Sequence, residues 1–181
     1  MWEKVVKSGK FCFNFELSKI IRFKKMASYI GEFECKLDNK GRLSLPSKLR
    51  AQITETDAAA MVINRGFEKC LVLYTKADWE KELEKLSVLN EFNREARQFI
   101  RIFNNGANII QIDNAGRALI PKKLMEYASL KDDAIINAYG KKIEIWDKAI
   151  YETALATDAD DFADKAQKLL GGSPQNTPNN E

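Results

Sequence analysis

Asp38-Asn39-Lys40-Gly41-Arg42-Leu43-Ser44-Leu45-Pro46-Ser47-Lys48-Leu49 returns 75 residues later as Asp113-Asn114-Ala115-Gly116-Arg117-Ala118-Leu119-Ile120-Pro121-Lys122-Lys123-Leu124. Seven of the twelve aligned positions are identical, where chance would give roughly one. One small unit is therefore duplicated within the chain. Both copies open on turn chemistry: Asp and Asn side chains bond their own backbone, and Gly41 or Gly116 accepts positive φ. Each copy then carries an arginine, a short apolar run and a proline suited to the first position of a helix.

Working outward, Phe33, Cys35 and Leu37 alternate with Glu34, Lys36 and Asp38, which predicts a half-buried strand before the first turn. Arg42–Leu45 predicts a returning strand, and Ser47 to about Ile53 a short helix. Ala59–Asn64 and Cys70–Tyr74 predict two more strands. The second copy follows the same plan: alternation at Ile110 and Ile112, a strand at Ala118–Ile120, a helix from Pro121 to about Tyr127, and strands at Ala134–Asn137 and Ile143–Trp146. Leu71/Ile143, Leu73/Ile145, Tyr74/Trp146 and Trp79/Tyr151 continue the repeat at a slightly shorter offset, a change placed in the loop between the last two strands, where it costs least. A unit of about 45 residues buries too little surface to stand alone, so the two copies are expected to share one core about a pseudo-two-fold.

Between the copies, Thr75 with Asp78 resembles a capping box, followed by Trp79, Leu83 and Leu86 on one helix face. A second helix, Asn93–Phe103, is expected to carry Phe92, Ala96, Phe99 and Phe103 as its apolar stripe and Arg94, Arg97 and Arg101 on a solvated face. A last helix is predicted over Asp158–Leu170 with Thr157 as its cap. The expected organisation is a basic N-terminal extension at 1–28, a first repeat at 30–78, linking helices at 79–106, a second repeat at 107–150, a C-terminal helix at 151–170 and a disordered Gly/Pro/Asn tail at 171–181.

Composition narrows the function. The chain has no histidine, which removes Ser-His-Asp and Cys-His catalysis and imidazole metal sites. Cys12, Cys35 and Cys70 are odd in number and far apart, as expected of a reducing cytoplasm rather than a disulfide framework or a Cys-rich zinc site. No apolar run reaches the roughly 18 residues of a membrane span, and the N-terminus lacks a signal-peptide pattern. The net charge of +3 is unevenly spread: residues 1–25 hold seven Lys/Arg against two Asp/Glu, so the remainder is net negative. Met26 is the expected natural start. The other reading of the leading segment is a nucleic-acid-binding arm.

Asp-x-x-Gly-Arg-x-x-x-Pro, present twice, resembles the AbrB-like (SpoVT-AbrB) DNA-binding unit. Two such units in one chain, with Ile30-Gly31-Glu32-Phe33 at the opening and Ile145-Trp146-Asp147 closing the second copy, resemble the MraZ family over about residues 26–170. The resemblance implies an α+β fold with a mainly β core: two tandem swapped-hairpin halves of a double-split β-barrel, with linking and C-terminal helices. It also implies a cytoplasmic, nucleoid-associated regulator that forms ring-shaped homo-oligomers, binds short direct repeats in double-stranded DNA and represses its own cell-division and cell-wall gene cluster. No cofactor, metal or membrane partner is implied.

The matching motif positions are Asp38, Arg42, Asp113 and Arg117. An arginine on the rim of a tight turn displays a planar fork that reaches guanine O6 and N7 or a phosphate. Lys40 at the turn tip is expected to add a phosphate contact. Ala115 replaces it in the second copy, so the two copies are expected to read DNA unequally. Lys48 and Lys123 are further candidates on the following helices. Asp38 and Asp113 either fix the turn or aim the arginine; Asn39, Gly41, Asn114 and Gly116 shape the turn. Asp-Asn-x-Gly alone is a turn any protein can use, and an exposed Asp–Arg pair across it contributes under about 1 kcal/mol. Duplication lifts the functional reading above that one. The alternative is an AbrB-like antitoxin or protein-interaction module. An enzyme using Asp38 and Asp113 lacks a nucleophile, a phosphate loop and a metal cluster.

Overall fold

The computed structural model describes residues 28–170. The tail at 171–181 and all but the last residue of the extension at 1–28 lie outside the described residues.

The first repeat forms β1 (Tyr29–Lys36), β2 (Arg42–Ser44), the helical turns α1 (Ser47–Arg50) and α2 (Glu55–Ala58), β3 (Met61–Arg65) and β4 (Cys70–Thr75). The second forms β5 (Asn108–Ile110), β6 (Arg117–Leu119), α5 (Lys122–Tyr127), β7 (Asp133–Gly140) and β8 (Lys142–Asp147). Between them lie α3 (Lys76–Leu86) and α4 (Arg94–Phe103), and α6 (Lys148–Leu155) and α7 (Ala159–Leu170) follow.

Pairing crosses the repeats. β1 pairs with β7 along its whole length, from Tyr29↔Gly140 to Lys36↔Asp133, and so begins before the alternation at Phe33. β5 pairs with β3, and β4 with β8. The resulting antiparallel sheet runs β1-β7-β8-β4-β3-β5, and β2 pairs with β6 in a separate two-stranded ribbon. Exchanging β1 with β5, β3 with β7 and β4 with β8 maps the strand order onto itself, which is the expected pseudo-two-fold with swapped hairpins.

Apolar side chains cover both faces of the large sheet, so β4 reads as a continuous buried run. One face carries Met61, Ile63, Leu71, Leu73, Ile136, Ile143 and Ile145 against Leu43, Leu49, Ala118 and Leu124 of the ribbon layer. The other carries Val62, Val72 and Ile135 with Tyr74, Trp79, Trp146 and Tyr151. The aromatic pairs repeat the symmetry: Tyr74–Trp79 centroids lie 5.5 Å apart at 53°, and Trp146–Tyr151 centroids 5.7 Å apart at 59°.

Helix ends explain the departures from expectation. Thr75 Oγ1 accepts from Asp78 N at 3.0 Å, but the Asp78 carboxylate accepts from the Thr75 hydroxyl at 2.9 Å instead of reaching back to its N–H. Asp78 is one methylene too short for a full capping box. Segment 151–170 is not one helix: Asp147 caps α6 by accepting from Ala149 N and Ile150 N, and Ala156 turns extended at ψ 94° before α7. Asp158, not Thr157, accepts from Asp161 N at 2.8 Å, while Thr157 Oγ1 accepts from Lys165 Nζ. On α4 the expected stripe is not fully buried among the described residues. Phe92 is 95% exposed and Phe99 43%, and Phe103 stacks on Trp79 at 5.5 Å. No helix among the described residues is long and apolar enough to cross a membrane.

Candidate nucleic-acid interface

In the ribbon, Arg42 pairs with Leu119, Leu43 with Ala118, and Ser44 with Arg117. Side chains alternate across a strand, so Leu43 and Ala118 share one face and Arg42, Ser44, Arg117 and Leu119 share the other. Leu43 and Ala118 are each 1% exposed, which turns the second face outward. Arg42 and Arg117 occupy its diagonal corners, positions whose Cα atoms stand about 7–8 Å apart. Both arginines therefore project from one face of the ribbon.

The turns preceding them are built identically. Gly41 N donates to Asp38 O at 2.8 Å and Gly116 N to Asp113 O at 2.7 Å, closing each turn. Gly41 and Gly116 take φ of +75° and +77°, the left-handed region that glycine enters without steric cost. The turns also lock the halves together: Leu45 N donates to Gly116 O and Ile120 N to Gly41 O, each at 2.9 Å.

Each aspartate does both things expected of it. Asp38 Oδ1 accepts from the backbone N–H groups of Lys40 and Arg42, each at 2.9 Å, fixing the turn. Its Oδ2 accepts from Arg42 Nε and Nη2, each at 2.6 Å, fixing the side chain. Asp113 Oδ1 accepts from Arg117 N at 2.8 Å, and its Oδ2 from Arg117 Nε at 3.0 Å and Nη2 at 2.9 Å. The backbone N–H of each arginine is the largest cause holding its aspartate below the usual carboxylate range, and the guanidinium adds to it. Because a single oxygen takes Nε and Nη2, the Nη1 edge of each fork is left for another acceptor. Each Asp–Arg pair is electrically neutral as a unit.

Lys40 stands exposed at the first turn tip and Ala115 at the second. Asn39 lines a surface depression with Lys40, Gly41 and Met125, and Asn114 lines its counterpart with Gly116 and Arg50. Lys48 and Lys123 are exposed on α1 and α5 and line neither depression; Lys122 lines the first. On α4, Arg97 Nη1 donates to Glu91 O at 2.7 Å and Phe92 O at 2.9 Å, which ties it to the preceding loop.

Sequence reasoning missed Ser44 and Leu119, the other outward positions of the ribbon, and Arg50. A period of two counted from Arg42 places Ser44 on the arginine face. Arg50 left no such signal, because its contact with Gly116 crosses from one repeat to the other. Among the described residues no group of three or more His, Cys, Asp or Glu side chains gathers to hold a metal ion.

Comparison with known proteins gives consistent results. A family model described as "MraZ protein, putative antitoxin-like" matches residues 29–102 and again 103–172. A protein of Cytophaga hutchinsonii named Transcriptional regulator MraZ is 41% identical over 145 residues, 80% of this chain and 96% of that protein. Proteins of the same name from Flavobacterium psychrophilum and Christiangramia forsetii are 40% and 38% identical, covering 81% of this chain and 94% and 95% of their own lengths.

Proposed function

The chain belongs to the MraZ family, and from that premise we propose that it is a transcriptional regulator that binds double-stranded DNA through the outward face of the β2–β6 ribbon. The observation that carries this reading is the shared face of Arg42 and Arg117 in the ribbon register. A two-stranded ribbon fits the B-DNA major groove, and an arginine fork matches guanine O6 and N7 there. The aspartates pre-set both forks, so less side-chain entropy is lost on binding.

The partner is DNA carrying short direct repeats. The two-fold of the subunit is only approximate at the surface that matters: Lys40 faces Ala115 across it, and Ser44 faces Leu119. A symmetric reader calls for a palindrome, whereas this one has a direction along the duplex, which suits head-to-tail repeats. The subunits act as a ring-shaped homo-oligomer. Phe67, Phe99 and Ile102 are 83%, 43% and 61% exposed around one apolar depression, a surface of the kind that another copy covers. A ring holding several neutralised arginine pairs at fixed spacing engages repeated sites through effective concentration. The regulator acts in the cytoplasm at the nucleoid, as a repressor of its own cell-division and cell-wall gene cluster.

The test is a gel shift with duplexes selected from a random pool. Arg42→Ala with Arg117→Ala is expected to weaken binding by at least tenfold, about 1.4 kcal/mol. Unchanged binding would favour the protein-interaction reading.

A further inference from the structure

The space that a Cβ on Gly116 would occupy is filled by the Arg50 side chain, through Cδ, Nη1 and Nε. The counterpart at Gly41 is Met125, through its sulfur. Positions 50 and 125 are equivalent in the repeat. Each turn is thus capped by a side chain from the other repeat, a thioether at the first turn and a guanidinium at the second.

The turn tips are unequal in the opposite sense, with Lys40 at the first and Ala115 at the second. Arg42 and Arg117 are neutralised by Asp38 and Asp113, so the net charge of each turn comes from its remaining cation. At the tip of the first turn that is Lys40, with Lys122 in the same depression, and at the second turn it is Arg50. Glu55 and Asp113 line the depression in which Arg50 lies. Asp113 is taken by Arg117, and among the described residues no carboxylate is within ion-pair distance of Arg50.

We infer that Arg50 is the phosphate-contacting cation of the second turn, delivered across the pseudo-two-fold from the first repeat in place of the lysine that Ala115 lacks. This rests on the DNA-binding reading above and deepens it. Each turn then keeps a cation beside its neutralised Asp–Arg pair, by different routes, and the second is complete only when both repeats are folded together.

The test measures affinity by fluorescence anisotropy from about 50 to 200 mM salt, with the selected duplex and a scrambled duplex of equal length as probes. Arg50→Met gives the second turn the cap of the first. It is expected to weaken both probes by a similar factor, roughly five- to tenfold at low salt, and to lower the slope of log K against log salt by about one. Arg50→Lys is expected to keep the slope. Ala115→Lys added to Arg50→Met is expected to restore the slope and most of the affinity, which a merely structural cap would not allow, and which shows that the variant folds. An unchanged slope in Arg50→Met overturns the inference, as does failure of Ala115→Lys to restore it. If Arg42→Ala with Arg117→Ala abolishes binding while Arg50→Met leaves the slope alone, only Arg50 is misassigned. If the arginine pair also proves dispensable, or the wild type binds neither probe, both readings fall.

Discussion

At the scale of single residues, the aspartates explain why the two arginines stay in place. Asp38 and Asp113 take backbone and guanidinium donors together, and both titrate below the ordinary carboxyl value of 3.8. A lowered pKa in the folded state makes a stability contribution that is fully present above the unfolded value and lost as pH falls through the folded one. Urea midpoints measured from neutral pH downward should therefore fall below about pH 4. In Asp38→Asn with Asp113→Asn the fall should be shallower, since the amides have no proton to gain. Equal slopes in the two proteins would contradict a structural role for the carboxylates. The motif residues were legible because turn chemistry is local: Asp, Asn and Gly announce it within four positions. Arg50 was not legible, since only tertiary pairing brings position 50 beside position 116.

At the scale of elements, alternation, apolar runs and the repeat located the eight strands of the described residues but not every end. β1 runs back to Tyr29 because β7 continues to pair with it, a fact held in the partner strand. The start of α7 was legible at Asp158, whereas α6 as a separate helix over Lys148–Leu155 was not, because the extended backbone at Ala156 has no glycine or proline to mark it. Asp158 displaced Thr157 as a cap because neighbouring polar residues compete for the same orphan N–H groups. α4 is the informative failure. Its stripe was correctly seen as apolar, but the described residues leave Phe99 and Ile102 exposed. If another copy covers it, Phe99→Glu should lower the subunit number in light scattering and leave the thermal midpoint of the dissociated protein near that of the wild type. An unchanged subunit number would contradict cover of this face by another copy.

At the scale of the whole molecule, duplication settles the architecture. Neither repeat closes a sheet alone; each lends its first strand to the third strand of the other. That exchange also zips β2 to β6 and brings two arginines, 75 residues apart in the chain, onto one surface. The pairing was expected from the repeat, whereas its register had to be seen, because a shift of one residue would have turned both arginines into the core. On the DNA-binding reading, Arg42 and Arg117 read one stretch of duplex together. Their Cα atoms stand about 7–8 Å apart on one face of the ribbon. Base-preference profiles of Arg42→Ala and Arg117→Ala, taken from the same random DNA pool, test this most directly. Each variant should relax the preference at its own position, with both positions inside one repeat. Profiles that both match the wild type, or that relax positions in separate repeats, would contradict the account.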